Sequence, residues 1–150
     1  MTTTITGRAS AHATTKTATN RPRTVRVALA GCGTVGSSLV ALARGQQEWL
    51  ERRHGVRFEI ARVLVRHPAK QRSVHLPLHL VTTSVDEFLL ADADVVVEVI
   101  GGQEPAGHIV RAALALGRRV VTANKALVAA YGPSLQRLAD QHETSLQFEA

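Results

Sequence analysis

Val25-Arg26-Val27-Ala28-Leu29-Ala30-Gly31-Cys32-Gly33-Thr34-Val35-Gly36 is the stretch on which the fold turns: an apolar, valine-rich run that passes directly into three glycines at G-x-G-x-x-G spacing. A buried strand feeding a glycine turn and a helix start is the opening of a βαβ unit that holds a dinucleotide. Gly31 permits the tight turn, Gly33 lets the backbone approach a pyrophosphate, and Gly36 lets the helix pack closely. Free backbone N–H groups and the positive end of the helix dipole would face the diphosphate. Three glycines alone are common, so the reading depends on what surrounds them.

Downstream, Val35, Leu39, Leu42, Trp49 and Leu50 recur at helical spacing and predict one long amphipathic helix over 34–53, ended by His54-Gly55. Residues 56–65 alternate and then turn apolar, as a strand entering a covered sheet does. Strand, glycine turn, helix and strand thus follow in βαβ order. An acidic residue after the second strand would bond the ribose 2′-hydroxyl of NAD, whereas a basic one accepts a 2′-phosphate. The chain offers Arg66-His67-Pro68-Ala69-Lys70-Gln71-Arg72, with no acid. This favours NADP over NAD, with Arg66 as the principal contact and Lys70 or Arg72 assisting. The competing reading is a loop of solvated cations.

Residues 73–83 read as irregular, and Pro77 between His75 and His79 opposes the helix that would align them on a metal. Ser84-Val85-Asp86-Glu87 has the form of a capping box opening a helix through about Leu90. Asp94 to Ile100 is a near-continuous apolar run before Gly101-Gly102, expected as a parallel strand covered on both faces. Within it Glu98 must be paired or hydrogen-bonded, as a strand-end functional group or as a member of a structural ion pair. Pro105 opens the next helix, with Ile109, Ala112, Ala113 and Leu116 inward and Gly117 as the stop. Arg118 to Ala123 is a strand leading to Asn124-Lys125. Pro133 is expected to begin the last helix, with Leu135, Leu138 and Ala139 inward, and 145–149 to form a final short strand. The alternation predicts an α/β Rossmann-type open twisted, mostly parallel sheet with helices on both faces.

Composition bounds the alternatives. The 150 residues are 45% hydrophobic and 20% charged, the balance of one soluble globular domain, taken as residues 25–150. No apolar run reaches the roughly 18–20 residues of a membrane span. The single cysteine, Cys32, makes no internal disulfide and reads as a small filler rather than a catalytic thiol, since no activating base stands near it in sequence. The formal charge of +6 is concentrated at the start: Arg8, Lys16, Arg21 and Arg23 lie in an acid-free segment, and residues 25–150 hold fourteen basic against twelve acidic side chains. With aromatics at only 3%, a nucleic-acid surface is not expected. Residues 1–24, rich in Thr and Ala, are expected to form a disordered tail. Their composition partly matches a transit peptide but lacks a secretory apolar block, and a solvated extension on a cytoplasmic protein is the expectation.

Four motifs in combination carry a resemblance: Gly31-Cys32-Gly33-Thr34-Val35-Gly36, Val96-Val97-Glu98-Val99-Ile100-Gly101-Gly102, Val120 to Ala129 with Thr122-Ala123-Asn124-Lys125 at its centre, and the closing Phe148-Glu149-Ala150. Together they resemble the N-terminal NAD(P)-binding domain of homoserine dehydrogenase, in order and spacing throughout residues 25–150. The first motif is widespread; the second and third together are far more specific. The resemblance implies an oxidoreductase that interconverts L-homoserine and L-aspartate 4-semialdehyde with a nicotinamide cofactor, on the route to threonine and methionine. It implies that Thr34 and Val35 contact the cofactor beside Gly31, Gly33 and Gly36, that Arg66 meets the adenosine 2′-phosphate and that Lys125 reaches toward the nicotinamide end; Lys70, from the basic loop, and Gly101, near the centre of the sheet edge, complete the expected cofactor contacts. The resemblance also makes Lys125 an auxiliary catalytic group and Glu149 a ligand of a monovalent-cation site. The family's substrate domain, with its principal catalytic lysine and dimer interface, has no counterpart in these residues. Little turnover is therefore expected from the chain alone, and a homo-oligomer only together with that domain. A binding or sensing module for NADP(H) without chemistry, or another Rossmann oxidoreductase, accounts for the same residues.

Overall fold

The structure is a computed structural model that describes residues 21–148. Expectations for the tail through Asn20 and for Glu149 fall outside the described residues. Six strands form one all-parallel sheet in the order β3-β2-β1-β4-β5-β6. They are β1 (Arg23–Ala30), β2 (Val56–Leu64), β3 (Val81–Thr82), β4 (Val95–Glu98), β5 (Arg119–Thr122) and β6 (Leu146–Phe148). The helices between them are α1 (Thr34–Gly45), α2 (Gln47–His54), α3 (Val85–Leu89), α4 (Ala106–Ala115) and α5 (Lys125–Gln141). β1 begins at Arg23, inside the segment assigned to the tail.

Period-two alternation divides the sheet into two cores. Ala28, Ala30, Val96 and Val120 face one side and pack with Phe88, Ile109, Leu114, Leu127 and Leu135, so α3, α4 and α5 cover that face. Leu29, Val63 and Val65 face the other and pack with Cys32 and Val40 of the turn and α1. The second face is less completely covered. Val95 and Val97 are only half-buried, and Val121 is exposed, along an apolar groove of about 610 Å³ between these strands and Leu39, Leu42 and Trp49. The expectation that both faces of β4 would be covered therefore holds on one face only.

Two helix boundaries and three side chains expected inward depart from the sequence reading. The predicted single helix over 34–53 is two, broken at Gln46 (φ −102°, ψ 7°) directly after the weak helix former Gly45. Leu42 and Trp49, expected inward, are 62% and 50% exposed. The last helix begins at Lys125, eight residues before Pro133, which lies inside it. Asn124 starts it by accepting the Leu127 N–H at 3.1 Å, and this cap outweighs the helix start that proline signals. Leu116 also faces out, while Val110 and Leu114 complete the α4 stripe with Ile109 and Ala113.

The capping box at α3 is real but routed differently. Ser84 Oγ accepts from Glu87 N–H at 3.2 Å, while Glu87 accepts the Thr82 hydroxyl at 2.6 Å, and Thr82 Oγ1 takes the Ser84 N–H at 3.0 Å. Thr82 belongs to β3, a two-residue edge strand within the region expected to be irregular.

Burial makes the inward stripes testable. Phe88→Ala empties a fully buried site and should cost about 3–5 kcal/mol, whereas Leu116→Ala, at a 59% exposed position, should stay within about 0.5 kcal/mol. Urea unfolding of the two variants measures both.

Candidate functional site

The site lies at the carboxyl edge of the sheet because all six strands are parallel and their ends align. Ala30 is in register with Leu64 on one side and with Glu98 on the other, and Glu98 with Thr122. The segments leaving these ends therefore stand in the row Arg66, Gly31–Gly36, Gly101-Gly102 and Lys125, following strand order β2, β1, β4, β5. The strand order reverses between β1 and β4, the switch point where open α/β sheets bind ligands.

The three glycines are explained one by one. Gly31 has φ +100°, and a Cβ there would stand 2.9 Å from the Val99 carbonyl oxygen. A Cβ on Gly36 would come within 2.2 Å of the Gly31 carbonyl oxygen, so the helix packs on the turn itself as well as against Val99. Gly33 is different: nothing lies within 4 Å of its notional Cβ, and that open space faces outward. The N-terminus of α1 has no side-chain cap and no acidic residue in its first turn. Its leading amides are left for an anion, which fits a diphosphate.

A cleft of about 490 Å³ joins this turn to the β2 exit, lined by Gly31, Gly33, Arg66, Lys70, Thr83 and Ile100 among others. Arg66 and Lys70 are exposed on its rim. Arg72 also lines it, but its guanidinium donates to the carbonyls of His67 (2.8 Å), Pro68 (3.2 Å) and Lys70 (2.7 Å). It folds the 66–72 loop onto itself. Thr34 and Val35 are exposed on the first turn of α1, and neither lines the cleft. Thr83, Val99 and Ile100 were not foreseen; they come from strand exits whose neighbours only the strand order reveals.

Gly101 (φ +79°) and Gly102 (φ +76°) make the turn after β4, and Lys125 is exposed at the start of α5. They lie one and two strands beyond the glycine turn and outside the cleft. Glu98 is fully buried and joins no ion pair among the described residues. Its Oε1 accepts from the N–H groups of Ile100 (2.8 Å) and Gly101 (3.2 Å), and its Oε2 from the Thr122 hydroxyl (2.5 Å). The ion-pair reading is thereby replaced. Thr122 Oγ1 accepts from Asn124 N–H (3.0 Å), and Asn124 Nδ2 donates to the Gly102 carbonyl (2.5 Å). Beyond this turn, the Arg111 guanidinium at 2.7 Å holds the exposed Glu104 carboxyl below its ordinary range, with the His108 N–H assisting. A lowered carboxyl pKa favours the fold above the usual carboxylate range, and that contribution fades as pH falls through the lowered value.

Strand order, glycine turn and uncapped helix together define a Rossmann-type nucleotide-binding domain. The family model described as "Homoserine dehydrogenase, NAD binding domain" matches residues 31–149, and the chain belongs to the homoserine dehydrogenase family. It is 40% identical over 129 residues to homoserine dehydrogenase of Bacillus subtilis, covering 85% of this chain and 30% of that protein. With the enzyme of Synechocystis it shares 39% over 129 residues, 85% of this chain and 29% of the relative. The crystal structure of S. aureus homoserine dehydrogenase at pH 6.0 superposes with a TM-score of 0.79 at 35% identity, over 85% of this chain and 33% of that one. The chain thus spans about a third of the length of the relatives it matches.

The glycine roles separate on substitution. Gly36→Ala should destabilise the chain by about 1–3 kcal/mol through overpacking, visible as a lowered melting temperature. Gly33→Ala should leave melting unchanged and abolish retention on an immobilised dinucleotide.

Proposed function

We propose that this chain is the cofactor-binding part of a homoserine dehydrogenase and that it prefers NADP(H) to NAD(H). In this reading the amides of Gly33 to Gly36 hold the pyrophosphate, and Arg66 with Lys70 grips the adenosine 2′-phosphate. Gly101 lies under the nicotinamide half, and Lys125 reaches its reacting end. The observation that carries the preference is the cleft itself: Arg66, Lys70 and Arg72 share it with the glycine turn, and among the described residues no carboxylate lines it to accept a ribose 2′-hydroxyl. A guanidinium answers a phosphate with paired, charge-assisted hydrogen bonds.

When bound, the nicotinamide supplies the hydride acceptor or donor for interconverting L-homoserine and L-aspartate 4-semialdehyde. The chain's own residues orient it and place the ammonium of Lys125 where charge develops on the substrate oxygen, stabilising it or moving a proton. Substrate groups come from the two-thirds of the relatives' length that these residues do not match. Because hydride transfer needs both reactants in near-attack geometry, the chain by itself binds cofactor without appreciable turnover.

Arg66→Ala should weaken NADPH binding by about 1–3 kcal/mol, the worth of a charge-assisted bond, and scarcely alter NADH. Calorimetry checks this; equal losses for the two cofactors would remove Arg66 from the 2′-phosphate.

A further inference from the structure

The buried group at the ends of β4 and β5 forms a closed ring. Glu98 Oε1 takes the Ile100 and Gly101 N–H groups, the Gly102 carbonyl takes Asn124 Nδ2–H, the Asn124 N–H is taken by Thr122 Oγ1, and the Thr122 hydroxyl returns to Glu98 Oε2. Asn124 Oδ1 adds the cap on Leu127 N–H. Glu98 and Thr122 are register partners on adjacent strands, and Glu98, Thr122 and Asn124 are 0%, 1% and 6% exposed. Each side-chain oxygen and nitrogen of the three residues is used.

Such a ring costs desolvation, and apolar replacements for buried polar groups often serve stability equally well. What it does that an apolar contact cannot is fix direction. It ties a turn of two positive-φ glycines, conformations with many alternatives, to the first residue before Lys125. Among the described residues, the other polar contacts between the segments that follow β4 and β5 are the Ala123 N–H to the Glu98 carbonyl at 3.2 Å and the Tyr131 hydroxyl to Gln103 Oε1 at 3.4 Å, and neither reaches the Gly101-Gly102 turn.

We propose that Glu98, Thr122 and Asn124 are positioning residues for the nicotinamide half of the site, setting the Gly101-Gly102 backbone and the Lys125 side chain relative to one another. This rests on the reading that a dinucleotide binds with its nicotinamide end toward these two loops. The residues touch neither cofactor nor substrate; they act through the backbone they hold. Thr122→Val removes the hydroxyl that joins two arms of the ring while keeping shape, and Thr122→Ser restores it. Asn124→Asp keeps the cap on Leu127 but cannot donate to Gly102.

The test is calorimetry of the 150-residue chain with NADP⁺ and, separately, with adenosine 2′,5′-bisphosphate, which carries the adenine half alone. Thr122→Val and Asn124→Asp should each weaken NADP⁺ by about tenfold, on the scale of one lost buried hydrogen bond, and change the bisphosphate less than twofold. Thr122→Ser should bind NADP⁺ nearly as the wild type does. If Thr122→Val does not fold, Asn124→Asp carries the comparison. Equal losses for both ligands, or no loss for either, would overturn the positioning role and leave a structural one. A wild-type chain that binds neither ligand would instead overturn the dinucleotide reading beneath it.

Discussion

The structure depends on a contact that leaves room for a hydrogen and nothing more. A Cβ on Gly36 would overlap the Gly31 carbonyl oxygen, and one on Gly31 would press on the backbone of Val99. The end of β1, the first turn of α1 and the extension of β4 are therefore locked against each other through backbone alone. Val99 N–H donating to the Ala30 carbonyl at 2.9 Å, and Gly31 N–H to the Leu64 carbonyl at 3.0 Å, carry this junction outward to both neighbouring strands. Because no side chain intrudes, the amides of α1 stay open at the point where the strand order reverses. The site is a consequence of how tightly the junction closes.

The two faces of the sheet are finished to different degrees. Under α3, α4 and α5 the core is continuous from Leu64 to Leu146. Beneath α1 and α2 it is confined to the β1–β2 side, and Val95, Val97 and Val121 border an apolar groove. The carboxyl edge does not share this asymmetry. There the β4 and β5 exits are joined by the Glu98 ring, and the β2 and β3 exits by Val65 N–H on the Thr82 carbonyl at 2.9 Å.

Much of this was legible in the sequence where local rules suffice. The glycine spacing, the βα alternation and the Ser84 cap each need only a few neighbouring residues, and the mostly parallel sheet expected from them is parallel throughout. What was not legible depends on partners distant along the chain or on competition between local signals. Pro133 reads as a helix start, yet Asn124, nine residues earlier, captures Leu127 N–H and the helix runs through the proline. The helical spacing runs on from Leu42 to Trp49, yet the helix breaks between them at Gln46. Arg72 reads as one of two candidate helpers of Arg66, and its bonds to three carbonyls of its own loop depend on how that loop folds. Glu98 was visible as an anomaly in an apolar strand, whereas its partners needed the register with Thr122. The family resemblance agrees with the match of the family model from Gly31 onward.

The central claim is that the Gly31–Gly36 turn and the Arg66–Lys70 rim form one site for a 2′-phosphorylated dinucleotide. The most direct measurement is calorimetric titration of the unmodified chain with NADPH and with NADH under the same buffer and salt. The account predicts one-site binding of both, with NADPH at least about tenfold tighter, the share of a single charge-assisted contact. Equal affinities, tighter NADH, or no heat with either ligand would contradict it.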